Sequence, residues 1–201
     1  MKPIIGVICR KSISPSNLNI SYYYDSIKNA IEMNGGLLIG ISPYKEYINF
    51  CDGIILEGGD TFDDNILNVI KYIYDIDKPL LGICLGMQEM AYCFNGDLVH
   101  CNNHKSKTKY THLIYLNKNT KLYNIFNTDK LLVNSRHKDC INKTSLSISS
   151  ISEDGVIESV EDSSKKFFIG VQWHPESMIE YDEIQNNIFK KFIGACMNES
   201  I

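Results

Sequence analysis

The sequence predicts a single-domain α/β protein whose core is a doubly wound, mostly parallel sheet with a small antiparallel extension. Three patterns point there. Unbroken apolar runs of strand length recur at residues 3–9, Leu37–Ile41, Gly53–Leu56 and Leu80–Ile83, as expected for strands covered on both faces. Between them apolar residues repeat at helical spacing, so strand and helix alternate. From about His112 onward the runs shorten and polar turns separate them, the mark of antiparallel strands.

Taken in order, PIIGVIC at 3–9 is rich in Ile and Val and suits a central parallel strand. Residues 10–19 read as a compact polar loop. Tyr23, Ile27, Ala30, Ile31 and Asn34 then mark a helix that Gly35 and Gly36 stop. Ile66, Val69, Ile70 and Ile73 mark the next helix, and residues 85–94 another. His112–Leu116 and residues 131–134, 146–150, 156–160 and 167–173 are expected as the shorter strands that complete the sheet. An amphipathic helix at 182–196 closes the fold. No internal repeat, low-complexity tract or linker interrupts the pattern.

Composition narrows the function. The 201 residues are 44% hydrophobic and 22% charged, enough for one substantial core and too few for two ordinary domains. Twenty Lys and Arg against twenty-four Asp and Glu leave a formal charge of -4, so no bulk positive field exists to hold a nucleic-acid backbone. No run of about 18 apolar residues predicts a membrane span, and the N-terminal apolar run is too short for a signal-peptide core. Seven cysteines without paired spacing suit a reducing compartment, and a cytoplasmic location is expected.

The most informative stretch is KPLLGICLGMQEM. A buried strand ends at Ile83, Cys84 stands at the turn and a helix follows, with Gly82 and Gly86 flanking Cys84 two residues each way. A side chain at such an elbow needs small neighbours. The sulfur also sits at a helix N-terminus, where unpaired N–H groups and the dipole favour thiolate. Cys84 is therefore placed to be a nucleophile. The plainer reading, a small core residue, suits Cys9, Cys51, Cys93, Cys140 and Cys196.

A thiolate nucleophile needs a proton carrier. FFIGVQWHPE runs as a strand and breaks at His174, with Pro175 ending it, so that Glu176 can turn back onto one ring nitrogen and leave the other free. A histidine before proline is more often a surface turn; pairing with the cysteine elbow lifts it. In GIILEGGD a strand ends in Gly58, Gly59 and Asp60, and adjacent glycines can turn N–H groups toward a ligand. The N–H groups of Gly59 and Leu85 are candidates for an oxyanion hole.

In this order, GGD, GICLGMQ, VNSRH and GVQWHPE resemble the class I glutamine amidotransferase fold, a flavodoxin-like arrangement, and its γ-glutamyl hydrolase branch. YYYDSIKNAIEMNGGLLIGISP resembles the opening of enzymes similar to γ-glutamyl-γ-aminobutyrate hydrolase. The resemblance implies Cys84 as nucleophile, His174 as acid and base, and Glu176 as the orienting carboxylate. It implies that Gln88 reads the α-amino-acid end of a glutamyl group, and that Asn134, Ser135 and His137 lie in a segment whose backbone helps hold that end. Whether His137 touches ligand or packs stays open. The implied reaction is attack on a γ-carbonyl, a glutamyl thioester and its hydrolysis. No metal or other cofactor is implied. His100, Cys101, His104 and His112 lack paired Cys-x-x-Cys spacing and fall in GDLVHCNNHKSKTKYTHLIYL, which resembles the family's hairpin after the nucleophile helix.

Only residues 61–78 separate GGD from the nucleophile strand, where γ-glutamyl-γ-aminobutyrate-type hydrolases carry a longer excursion, so an open entrance is expected. Arg10, at the end of the first strand, and Lys105, Lys107 and Lys109 are candidate contacts for a phosphorylated leaving group; for the lysines a solvated loop is the plainer reading. Arg136 is a further binding candidate with an equal claim to a structural role. The preferred function is an amidohydrolase acting on a small-molecule γ-glutamyl amide. Its substrate is either γ-glutamyl-γ-aminobutyrate or a γ-glutamyl nucleotide amidate such as γ-glutamyl-CDP-amidate, made on the way to a phosphoramidate-decorated capsule. The alternatives are a glutaminase subunit feeding ammonia to a partner synthetase and a silent binding protein on the same scaffold.

Overall fold

In chain order the elements are β1 (Ile4–Ile8), β2 (Arg10–Ile13), β3 (Asn19–Tyr22), α1 (Asp25–Met33), β4 (Leu37–Ile41), α2 (Lys45–Phe50), β5 (Gly53–Leu56), α3 (Asp64–Asp75), β6 (Leu80–Ile83) and α4 (Leu85–Cys93). They continue as β7 (Asp97–His100), β8 (His112–Leu116), α5 (Lys121–Phe126), β9 (Lys130–Val133), β10 (Asp139–Lys143), β11 (Ser147–Ser152), β12 (Ile157–Glu161), β13 (Phe168–Val171) and α6 (Asn187–Cys196). This is a computed structural model, and it describes residues 1–198.

Strands β4, β1, β5, β6 and β13 lie side by side and parallel. Numbered by their own order along the chain they stand 2-1-3-4-5, the flavodoxin-like sequence of a doubly wound sheet. Alternation along the strands supplies both layers. On β5, Ile55 faces the cluster formed with α1 and α6, where Ile27, Ile31, Phe189 and Phe192 are buried. Its neighbours Ile54 and Leu56 face the opposite cluster, with Ile48 of α2, Ile66, Val69, Ile70 and Ile73 of α3, and Met87 and Met90 of α4. The apolar stripe of α3 thus does what its spacing predicts, each buried side chain contributing on the order of 1.5–3 kcal/mol relative to exposure. Asp63 starts that helix by accepting from the Asn65 N–H at 2.9 Å.

Beyond β13 the sheet turns antiparallel through β12, β11, β8 and β9, while β10 pairs with β12 and with β7. This part is larger than a small extension. The expected hairpin after the nucleophile helix does not form: β7 pairs with β10, and β8 with β11 and β9. Residues 10–19, expected as a loop, carry β2 and start β3, a separate two-stranded ribbon. The last helix begins at Asn187, after a 3-10 turn at Glu183–Asn186. No helix among the described residues is long and apolar enough to cross a membrane.

Register places the chemistry. Leu56 pairs with Gly82, and Val171 with Ile83, so β5, β6 and β13 end together. Their next residues are Glu57-Gly58-Gly59, Cys84 and Gln172-Trp173-His174.

Candidate active site

At the end of β6 the backbone of Cys84 swings to φ 53°, ψ -106°. For a residue with a side chain this conformation costs on the order of 1–3 kcal/mol and persists only where the surroundings enforce it. Enforcement is visible on both sides. The Cys84 N–H donates to the Val171 carbonyl at 2.8 Å. A side chain at Gly86 would collide with the Leu56 carbonyl, so α4 can begin tight against β5 only because that residue is glycine. Cys84 is buried at the head of α4.

His174 follows β13 and Trp173. The 3-10 turn Pro175–Ser177 brings Glu176 back, and its Oε1 lies 2.8 Å from His174 Nδ1. Asn134 grips the histidine backbone from both sides: its Oδ1 accepts from the His174 N–H at 2.8 Å and its Nδ2 donates to the His174 carbonyl at 2.9 Å. Burial opposes charge on His174, but the Glu176 carboxylate and the nearby Cys84 sulfur outweigh it and raise its pKa to about 10. An imidazolium at this position supports negative charge on sulfur and can give a proton to a leaving nitrogen. Gly58 leaves room for the pair, since a Cβ there would sit 2.9 Å from His174 Cε1 and 3.7 Å from Cys84 Cβ.

Cys84 borders two cavities. The smaller, about 150 Å³, is lined by Gly59, Leu85, Gln88, Lys105, Arg136 and His137 among others. The other, about 280 Å³, is bordered by Tyr24, Ser26, Gly58, Arg136, His174 and Glu176. Gly59 borders both, and also a third of about 430 Å³ beside the β2–β3 ribbon. The Gln88 amide is oriented by donating to the Asp139 carbonyl at 2.7 Å and to Gln172 Oε1 at 3.1 Å. Arg136 donates to Ser177 Oγ at 3.1 Å and lines both cavities at the sulfur.

Other candidates lie elsewhere than the sequence suggests. Arg10 is buried and forks onto Glu89 at 2.8 and 3.0 Å while also donating to the Glu57 carbonyl. Its terminal nitrogens bond inside the protein, while the residue borders the 430 Å³ cavity beside the β2–β3 ribbon. Ser135 is buried and donates to the His104 carbonyl. The side chain of His137 packs against His104 and Glu158. Lys109 lies over the Tyr181 ring. Lys105 lines the smaller cavity, and its backbone bridges that of Arg136. Sequence reasoning did not single out Glu57. Its carboxyl is buried, accepts from the Tyr24 N–H at 2.9 Å, and is raised to about 7, chiefly by burial, against the pull of that hydrogen bond and of Arg10.

Comparison with known proteins gives the family. The peptidase C26 family profile matches residues 61–176, which include Cys84, His174 and Glu176. A protein of Schizosaccharomyces pombe described as a glutamine amidotransferase is 32% identical over 96% of this chain and 86% of its own length. A glutamine amidotransferase-like protein of Rickettsia prowazekii is 28% identical over 88% of this chain and 82% of its own. Among solved structures, a GMP synthase component of Thermoplasma acidophilum superposes with a TM-score of 0.73 at 22% identity, covering 98% of this chain and 96% of that one. By profile, sequence and fold together, this chain belongs to the peptidase C26 family of class I glutamine amidotransferase-like proteins.

Proposed function

We propose that the protein is a cysteine-dependent amidohydrolase that cleaves a γ-glutamyl amide to glutamate and the freed amine through a thioester at Cys84. The observation that carries the reading is the strained Cys84 elbow facing a His174 already hydrogen-bonded to Glu176 at 2.8 Å, with a cavity on either side of the sulfur. Sulfur attacks the γ-carbonyl carbon, and the carbonyl oxygen takes up the negative charge, facing the N–H groups of Gly59 and Leu85. The C–N bond breaks as His174 protonates the departing nitrogen. His174, now neutral, then removes a proton from water, which attacks the thioester and releases glutamate. Glu176 keeps the ring oriented and balances its charge throughout.

The glutamyl group is assigned to the smaller cavity, where Gln88, Lys105 and Arg136 offer polar contacts. The leaving group is assigned to the larger one. Among leaving groups we favour a phosphorylated one, as in γ-glutamyl-CDP-amidate, over γ-aminobutyrate. What supports this is room: the 280 Å³ cavity adjoins, through Gly59 and Asp60, the 430 Å³ cavity bordered by Lys11 and Ser12. Incubation with glutamine, γ-glutamyl-γ-aminobutyrate and γ-glutamyl-CDP-amidate, followed by glutamate release, tests the assignment. The conjugates should turn over faster than glutamine, the amidate fastest. Equal turnover of all three removes the specificity claim, and turnover by a Cys84→Ala variant removes the nucleophile.

One observation favours a second reading, a glutaminase subunit serving a synthetase. Ile13, Leu18 and Ile20 are exposed at the turn end of the β2–β3 ribbon, and exposed apolar side chains of this kind are candidates for burial against a partner. Negligible hydrolysis of all three substrates by the folded, isolated protein is the result that favours it.

A further inference from the structure

Away from the sulfur, four side chains converge that the reaction does not use. His104 comes from the loop after β7, His112 opens β8, His137 follows β9 and Glu158 lies in β12. Glu158 Oε1 is 3.3 Å from His104 Nδ1, 3.1 Å from His112 Nε2 and 3.7 Å from His137 Nε2. Glu158 is fully buried, His104 and His137 nearly so. Among the described residues, none of these three inward nitrogens, nor either oxygen of Glu158, has a hydrogen-bond partner.

The outer nitrogens show where the protons are. His104 Nε2 faces Asp154 Oδ2 at 3.1 Å, and Asp154 is itself held by Ser152 Oγ at 2.5 Å. His137 Nδ1 faces the Asp139 carbonyl at 3.1 Å, with the weaker Cys101 thiol at 3.5 Å. A carboxylate and a carbonyl can only accept, so both outer nitrogens carry hydrogen and both inner nitrogens present a lone pair unless the ring is cationic. Two inward lone pairs crowding a buried carboxylate repel one another. A positive charge among them relieves the repulsion, and one cation at the centre supplies it. Histidines held from behind by a carboxylate and a carbonyl are the usual surroundings of metal ligands.

We propose that His104, His137 and Glu158 bind one divalent transition-metal ion of the zinc type, with His112 beside them against Glu158 Oε1. Metal–ligand bonds of about 2.0–2.1 Å put tetrahedral ligands about 3.3 Å apart, and the distances of 3.3 and 3.7 Å from Glu158 Oε1 to the two histidine nitrogens lie at and just above that edge. Two imidazoles and one carboxylate suit zinc better than calcium or magnesium, which prefer oxygen. Three protein ligands leave the fourth position to water. The ion would tie the Lys105 loop and the segment carrying Arg136 to β12, and so fix one wall of the cavities at Cys84. The sequence spacing that argued against a metal missed it because His137 and Glu158 are far from His104 along the chain.

The proposal is independent of the reaction assigned to Cys84, and its test reads metal rather than turnover. Full-length protein is incubated with excess Zn²⁺ or Co²⁺, passed through a desalting column, and analysed for metal content, visible absorption and thermal melting. The site predicts about one equivalent per chain, intense visible bands of tetrahedral Co²⁺, and a melting temperature that falls with a chelator and recovers with Zn²⁺. His137→Ala and Glu158→Gln should each lower retained metal at least tenfold. Should either variant fail to fold, the Co²⁺ spectrum of the unaltered protein decides. Less than about a tenth of an equivalent retained, weak six-coordinate bands, or sulfur-to-cobalt charge transfer that places the ion on cysteine would each overturn the proposal.

Discussion

Replacing Asn134 with Ala separates two roles that the VNSRH segment could serve. The Asn134 side chain donates to and accepts from the backbone of His174 at 2.9 and 2.8 Å. Each such bond contributes about 0.5–1.5 kcal/mol net, so losing both releases about 1–3 kcal/mol of restraint on the imidazole. If all of that appears in the barrier, kcat falls about 5- to 150-fold, since 1.4 kcal/mol is about tenfold. A positioning residue of this kind leaves KM within about twofold, because ground-state binding of the glutamyl group is untouched. Asn134→Asp keeps the acceptor but sets a carboxylate against the His174 carbonyl, and should be at least as damaging. Glutamate release at varied substrate concentration measures both constants. A KM that rises tenfold with kcat unchanged would refute the argument and make the side chain a substrate contact.

Further expectations follow from the same geometry. Gly58→Ala puts a methyl group 2.9 Å from His174 Cε1; the ring must shift by about half an ångström to reach ordinary contact, and a loss of about 10- to 100-fold in kcat with the fold retained is expected from steady-state kinetics and a thermal melt. Arg10→Met strands Glu89 in the interior and should cost about 3–5 kcal/mol in denaturant titration, while the double variant Arg10→Met/Glu89→Leu recovers most of it; full stability of the single variant would show that the ion pair does not matter. Glu57 binds its proton more tightly folded than unfolded, so its contribution to stability is greatest when both states are protonated, below the unfolded pKa near 4.5, and declines as pH rises to about 7. Melting temperatures of Glu57→Gln should therefore fall less than those of the unaltered protein between pH 5 and pH 8, and parallel curves would count against the shift.

How much of this was legible in the sequence depends on whether the signal was local. β5 and β6, buried at every position, begin and end where the apolar runs do, because a buried strand must be apolar along its whole length; the partly buried β4 and β8 also keep the bounds of their runs. The β2–β3 ribbon was missed because its residues are mostly exposed and polar, so no hydrophobic period marks it. α2 is only six residues long. α5 is as short, yet it had a readable sign: Thr120 Oγ1 accepts from the Tyr123 N–H at 3.1 Å as an N-cap. At the site, Cys84 and its glycines, and His174 with Glu176, are near neighbours in sequence, and their types carry their chemistry. The carboxylates Glu57, Glu89 and Glu158 were invisible for the opposite reason. What each does is set by the groups opposite it, as when Glu89 meets Arg10 across 79 positions of chain, and no local pattern encodes that meeting.

Rapid acid quench during turnover, followed by mass spectrometry of the digested protein, tests the covalent chemistry at its centre. The account predicts a mass increase of one glutamyl group on the peptide containing Cys84, formed from any substrate that turns over and removed by hydroxylamine. Turnover that proceeds with the peptide unmodified, or with the adduct on another residue, would contradict it.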